Sequence, residues 1–196
     1  MSDKAKPRRR APRKATPDYL ERAALFYLER YASSSSSLRR VLLRKVARSA
    51  EAHETDPAEG AAAVETLITR LQERGLVNDA AFAESRARAL RRRGASAAGV
   101  RARLAAKGIT AELAQQALSA VAEETPGDEE LAAAIAFARR RRLGPWRVPE
   151  QRAERRQRDL AALGRQGFPG TLARRVIDAE DPQTLEQLFA ETRHED

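Results

Sequence analysis

The most distinctive chemistry in this chain is cationic. Between Gly75 and Gly94 the sequence reads GLVNDAAFAESRARALRRRG, with arginine at 86, 88, 91, 92 and 93. Guanidinium groups suit bidentate contact with phosphates and carboxylates. The placement recurs further on. Arg139, Arg140, Arg141 and Arg142 follow Phe137 much as the first run follows Phe82. Each run is followed by more cations: Arg101, Arg103 and Lys107 after the first, Arg152, Arg155, Arg156 and Arg158 after the second. A basic face repeated at equivalent places fits an extended anionic partner better than a compact one. A solvated arginine-rich surface is the plain alternative.

Catalytic constellations are not assembled by this sequence. His53 and His194 sit in a polar connection and at the C-terminal end, where each reads as a solvated residue. GRQGFPG (164–170) spaces its glycines by three but lacks the Gly-Lys-Ser/Thr of a phosphate loop, and it follows a helical pattern rather than a strand. It reads as a helix stop and the next helix start. The acids of EETPGDEE (123–130) lack metal-loop spacing and read as a solvated connection. The expectation is no catalytic residue, no cofactor and no metal.

The elements that must carry the arginines are helical. The chain has 196 residues, 42% hydrophobic and 33% charged, with 5% aromatics and no cysteine. Abundant alanine and leucine favour helices. No segment alternates with period two, so no sheet is expected. No apolar run is long enough to span a membrane, and nothing apolar follows the basic N-terminus as in a secretory signal. The absence of cysteine fits a reducing cytoplasm. The net charge of +9 is unevenly spread: residues 1–16 carry seven Lys/Arg against one Asp, and residues 178–196 carry seven acids against one Arg. The two tails cancel, so the intervening chain is itself strongly basic.

Helix signals punctuate the chain. Asp18 reads as an N-cap with Glu21 completing a capping box, and Tyr19, Leu20, Leu25, Tyr27 and Leu28 make that helix apolar. The serine run 33–37 reads as a turn with a serine cap, followed by Leu38, Val41 and Leu42 facing inward. Asp56-Pro57-Ala58-Glu59 opens a third helix with the stripe Val64, Leu67, Ile68, Leu71. Asp79, Ser96 and Thr110 then read as caps of three more helices, with Gly75, Gly94 and Gly108 as stops. Phe26, Phe82 and Phe137 lie 56 and 55 residues apart, and LAAKGIT (104–110) matches LGRQGFP (163–169) at a shift of 59. The expected fold is all-α, an elongated tandem array of three three-helix repeats. Its divisions are a disordered basic arm (1–16), repeats at 17–77, 78–124 and 128–178, and an acidic C-terminal tail or short helix (179–196). Trp146 is the one aromatic outside the periodic core, and it reads as packed under a loop rather than stacking a base.

These residues resemble the RecX family, regulators of the bacterial RecA recombinase. GLVNDAAFAES (75–85) is similar to the family's Gly-Leu-Ile-Asp-Asp-x-x-Phe-Ala junction, and LAAKGI (104–109) to its Leu-x-x-Lys-Gly-Ile. YLERYASSSSSLRRVLLRKV (27–46) resembles its first-repeat signature. The likeness covers about residues 19–178. Asn78 stands where the family has its first Asp, and Ser37 where an acid often precedes Leu-Arg. The resemblance implies a non-enzymatic monomer of the cytoplasm that lies in the groove of the RecA–DNA filament. There it would inhibit ATP hydrolysis and strand exchange, with consequences for recombination, DNA repair and the SOS response. The residues expected to face the filament or DNA are Arg86, Arg91, Arg92, Arg93, Arg101, Arg103, Lys107, Arg139, Arg140, Arg141, Arg142 and Arg155. The alternative is a protein that binds single- or double-stranded DNA directly, without RecA; a structural adaptor comes third.

Overall fold

A computed structural model describes residues 11–124 and 127–192, and every regular element in them is helical. The helices are α1 (Pro17–Leu28), α2 (Ser35–His53), α3 (Pro57–Glu73), α4 (Asp79–Arg92), α5 (Ala97–Ala105), α6 (Ala111–Glu124), α7 (Glu129–Arg141), α8 (Pro149–Gln166), α9 (Gly170–Ile177) and α10 (Pro182–Thr192), with a 3-10 turn at Gly144–Trp146. The chain divides after Asp79 into two compact units. Most of the basic arm, residues 1–10, and His194 lie outside the described residues.

In the first unit, α1, α2 and α3 enclose Leu20, Leu38, Leu42, Val64, Ile68 and Leu71. These side chains are at most 1% exposed, so truncating one would cost about 2–5 kcal/mol. Local signals mostly set the helix ends. Ser34 accepts a bond from Ser37 N, and Asp56 from Ala58 N with Pro57 at the first helical position.

Two expectations fail at helix starts. Thr16, not Asp18, caps α1: its hydroxyl accepts from Tyr19 N, and Pro17 opens the helix. Glu21 is thereby free to pair with Arg70 at 2.7 Å. Asp79 is likewise the first residue of α4 rather than its cap. Its carboxylate reaches 44 residues back, accepting from Ser35 N at 2.8 Å and Ser35 Oγ at 2.5 Å. A carboxylate at the first turn of α2 satisfies an orphan amide and favours that end of the helix dipole.

The second unit has two hydrophobic clusters. One gathers Ala83, Ala87, Val100, Leu104, Ala117 and Val121 from α4–α6; the other gathers Leu131, Phe137, Leu163, Phe168, Val176 and Leu185 from α7–α10. Trp146 packs partly buried against the latter, as expected of an aromatic under a loop. Helix α9 has only eight residues, too short to hold alone, and is kept by burying Ala173, Val176 and Ile177. Between the clusters the backbone passes very close. A Cβ added at Gly94, where φ is +76°, would lie 2.5 Å from Phe137 N and 2.8 Å from Ala133 O. Ser96 caps α5 through Gly99 N and donates to the Gln166 carbonyl at 2.5 Å.

The acidic connection also departs from expectation. Asp128 caps α7, and the side chains of Glu129 and Glu130 are only 15% and 26% exposed. They are drawn inward by an arginine, as described below.

Candidate partner-binding surfaces

The expected arginines fall into two kinds. Arg86, Arg92, Arg93, Arg101, Arg103, Lys107, Arg139, Arg140, Arg141 and Arg142 are exposed, and Arg155 is half-buried. Arg91 is different and must be withdrawn from any binding surface. Its side chain is 7% exposed; its guanidinium donates to Glu130 at 2.6 Å and to the Ala95 carbonyl at 3.0 Å, and lies 3.7 Å from Glu129. Glu130 also accepts from Ala97 N. Arg91 is therefore a tie between α4, the start of α5 and the start of α7. In the sequence it is one arginine of a triplet, and its neighbours give no sign of its inward direction. The burial has an electrical consequence for Glu129, whose carboxyl is pushed up chiefly by desolvation, with Arg91 opposing.

Arg92 and Arg93 meet Arg139 and Arg140 around one groove of about 660 Å³. Its floor is apolar, made by Ala132, Ile135, Ala136 and Phe189, and Glu186 is the one acid lining it among the described residues. The helical spacing of α7 explains this: Ala132, Ile135, Ala136 and Arg139 follow at three and four residues, so they share a face.

A second groove of about 510 Å³ lies along α8. Gln151, Arg155, Arg158, Ala162 and Arg165 line it at helical spacing, with Arg141 and Arg147 opposite. Among the described residues its only carboxylate, Asp159, is already committed. That side chain is 2% exposed and accepts from Arg147 Nη2 at 2.7 Å, Arg147 Nε at 3.0 Å and Gly144 N at 3.0 Å. Of the other guanidinium groups lining it, Arg155 pairs with Glu154 at 3.2 Å, while Arg141, Arg158 and Arg165 form no ion pair among the described residues. Arg158 and Arg165 belong to this lining although they were not among the expected site residues. The signal for Arg165 was available in the seven-residue interval from Arg158, but it needs the direction of α8 to be used.

Arg101, Arg103 and Lys107 are not in either groove. Arg103 instead reaches back to the Gly99 carbonyl and to Gln166 Oε1. Arg152 and Arg156 are also internally engaged. Arg152 donates to the Arg147, Glu180 and Pro145 carbonyls, and Arg156 grips Asp178 at 2.6 and 2.7 Å. Arg88, adjacent to the exposed pair, holds Glu124 by two bonds and keeps that carboxyl below its usual range.

In the first unit, the exposed aromatics overturn the reading of Phe26 as a core repeat marker. Phe26 is 59% exposed, whereas Phe137 is 4% exposed and packs in the core. Leu25, expected inside, is 37% exposed. No group of three or more His, Asp or Glu side chains suited to a metal occurs among the described residues, and none of their helices is long and apolar enough to cross a membrane.

Comparison with known proteins identifies the group to which these surfaces belong. The family described as "RecX, second three-helix domain" matches residues 78–118, which run from the start of α4 into α6. The chain is 46% identical over 169 residues to the regulatory protein RecX of Myxococcus xanthus, covering 86% of this chain and 89% of that one. It is 31% identical to the regulatory protein RecX of Agrobacterium fabrum, over 81% of this chain and 84% of that one. That of Amycolatopsis mediterranei is 40% identical over 59% of this chain and 63% of its own. No solved structure matches. With nearly half of its residues shared over almost the full length of a relative, the chain belongs to the RecX family of regulatory proteins.

Proposed function

We propose that this protein is a non-enzymatic regulator that binds the RecA filament on DNA and inhibits its ATP hydrolysis and strand exchange. On this reading it acts as a monomer in the cytoplasm and modulates recombination, repair and the SOS response. The observation that carries the reading is the pair of cation-walled grooves in the second unit. Arg92, Arg93, Arg139 and Arg140 rim an apolar floor, a combination suited to a protein surface that offers carboxylates around apolar side chains. Arg141, Arg155, Arg158 and Arg165 offer a line of charge to a polyanion. A nucleoprotein filament presents both chemistries. The second groove by itself also favours the other reading, direct binding to DNA without RecA.

The test is RecA's DNA-dependent ATP hydrolysis with this protein titrated in and DNA in excess. Inhibition well below the amount needed to cover the DNA supports the filament; inhibition only at DNA saturation supports competition for DNA. Charge reversal at Arg92, Arg93, Arg139 and Arg140 together should weaken inhibition at least tenfold, since each charge pair removed from an interface is worth about 1 kcal/mol or more. Helicity should be retained, because all four side chains are exposed. Unchanged inhibition by that variant would remove the groove from the interface.

A further inference from the structure

The first unit carries a surface that the filament-binding reading does not use. On α1, Tyr19, Arg22 and Phe26 recur at three and four residues and so share one side of the helix, and Arg30 follows in the turn after it. Leu20 and Ala24 face the core. Lys45 from α2 and Arg13 from the segment before α1 join this side to form a cleft of about 320 Å³ lined by Arg13, Tyr19, Arg22, Ala23, Phe26 and Lys45. No carboxylate among the described residues lines it. Among the described residues, Arg13, Arg22 and Lys45 form no ion pair. Glu21, the acid nearest in sequence to Arg22, is occupied by Arg70.

The aromatic content is as unusual as the charge. Phe26 contributes little to the core and is 59% exposed, yet its position is held: the Arg30 guanidinium sits 3.6 Å from the ring centroid and donates to the Phe26 carbonyl at 3.1 Å. Lys45 Nζ lies 5.6 Å from the Tyr19 ring. Tyr31, 56% exposed, follows one turn on and packs 5.1 Å from Tyr27. A preset aromatic face among unpaired cations matches the two demands of a single nucleic-acid strand, a flat surface for an unpaired base and positive charge for its phosphates. An acidic peptide would use the same cations, but among the described residues Ala23 is the only aliphatic side chain lining the cleft, and the rest of its apolar surface is flat aromatic ring.

We propose that the α1–α2 cleft binds single-stranded nucleic acid, with Phe26 and Tyr19 stacking an unpaired base and Arg13, Arg22 and Lys45 contacting its flanking phosphates. Charge continues along the chain, since Lys4, Lys6, Arg8, Arg9 and Arg10 precede Arg13.

The experiment measures fluorescence anisotropy of a labelled oligothymidine with the full chain and no RecA, so its failure leaves the filament reading standing. Phe26→Ala should weaken binding by about 5- to 100-fold, the loss expected for one stacked base, while leaving the salt dependence unchanged. Phe26→Trp should keep the affinity. Arg22→Gln with Lys45→Gln should instead flatten the dependence of log affinity on log salt, by about 0.7 for each phosphate that is no longer neutralised. Equal affinity of Phe26→Ala and the unmodified protein would overturn the proposal. So would a duplex competing as well as the single strand, which would reduce the cleft to a phosphate-binding surface. Absence of binding to any nucleic acid would overturn it too, and would point to an acidic protein segment as the occupant.

Discussion

Arg91 and Glu130, 39 residues apart, meet at 2.6 Å with side chains 7% and 26% exposed. This contact joins the end of α4 to the first turn of α7 and, through Ala97 N, to the start of α5. Arg91→Ala should destabilise the second unit by about 2–3 kcal/mol, somewhat below the usual loss for a fully buried pair because Glu130 keeps some water. Arg92→Ala and Arg93→Ala, at exposed positions, should stay within about 0.5 kcal/mol of the unmodified protein. Urea denaturation of the three variants checks the contrast. Equal behaviour of all three would show that Arg91 is not a tie.

Two glycines with nearly the same backbone should respond very differently to an added methyl. Beyond its two chain neighbours, Gly75 (φ +70°) has no described atom within 4 Å of the site for a Cβ, so Gly75→Ala should cost only the left-handed conformation, about 1–2 kcal/mol. At Gly94 (φ +76°) the methyl would meet Phe137 N, Phe137 Cα and Ala133 O at 2.5–2.8 Å, all backbone that cannot swing aside. Gly94→Ala should therefore cost at least about 2 kcal/mol more, because overpacking adds to the strain. Thermal or urea midpoints measured side by side decide it; a Gly94→Ala protein as stable as Gly75→Ala would contradict the close approach.

The Arg88–Glu124 pair should make stability depend on acid. Arg88 hydrogen-bonds the Glu124 carboxylate and lowers its pKa in the folded protein. A lowered carboxyl pKa contributes stability that is present above the unfolded value, about 4.3, and is lost as pH falls through the folded value. Glu124→Gln should thus be less stable than the unmodified protein at pH 7, and the difference should shrink toward zero below pH 4. The Glu129 carboxyl, raised mainly by burial, contributes with the opposite sign, its part being lost as pH rises through its folded value. Glu129→Gln should accordingly gain relative stability at neutral pH. A gap for Glu124→Gln that stayed constant from pH 7 to 3 would exclude the pair as its source.

The sequence by itself determined the helical class and many of the helix ends. Ser34, Asp56, Ser96 and Thr110 cap where their position predicts, because a cap is a bond between neighbours two or three residues apart. It also displayed the stripe Val64, Leu67, Ile68 and Leu71, which is buried as its spacing requires. Only the tertiary structure decided what each charge is for. Arg91, Arg92 and Arg93 are chemically identical neighbours, yet about 100° of rotation per residue turns Arg91 onto Glu130 and leaves the other two exposed. Asp79 looked like a local cap and instead serves Ser35, 44 residues away. Phe26 looked like core and stands exposed under Arg30. Periodicity tells which residues share a helix face; which face meets a neighbouring helix depends on packing between segments distant in the chain, and that packing separates a structural arginine from one free to meet a partner.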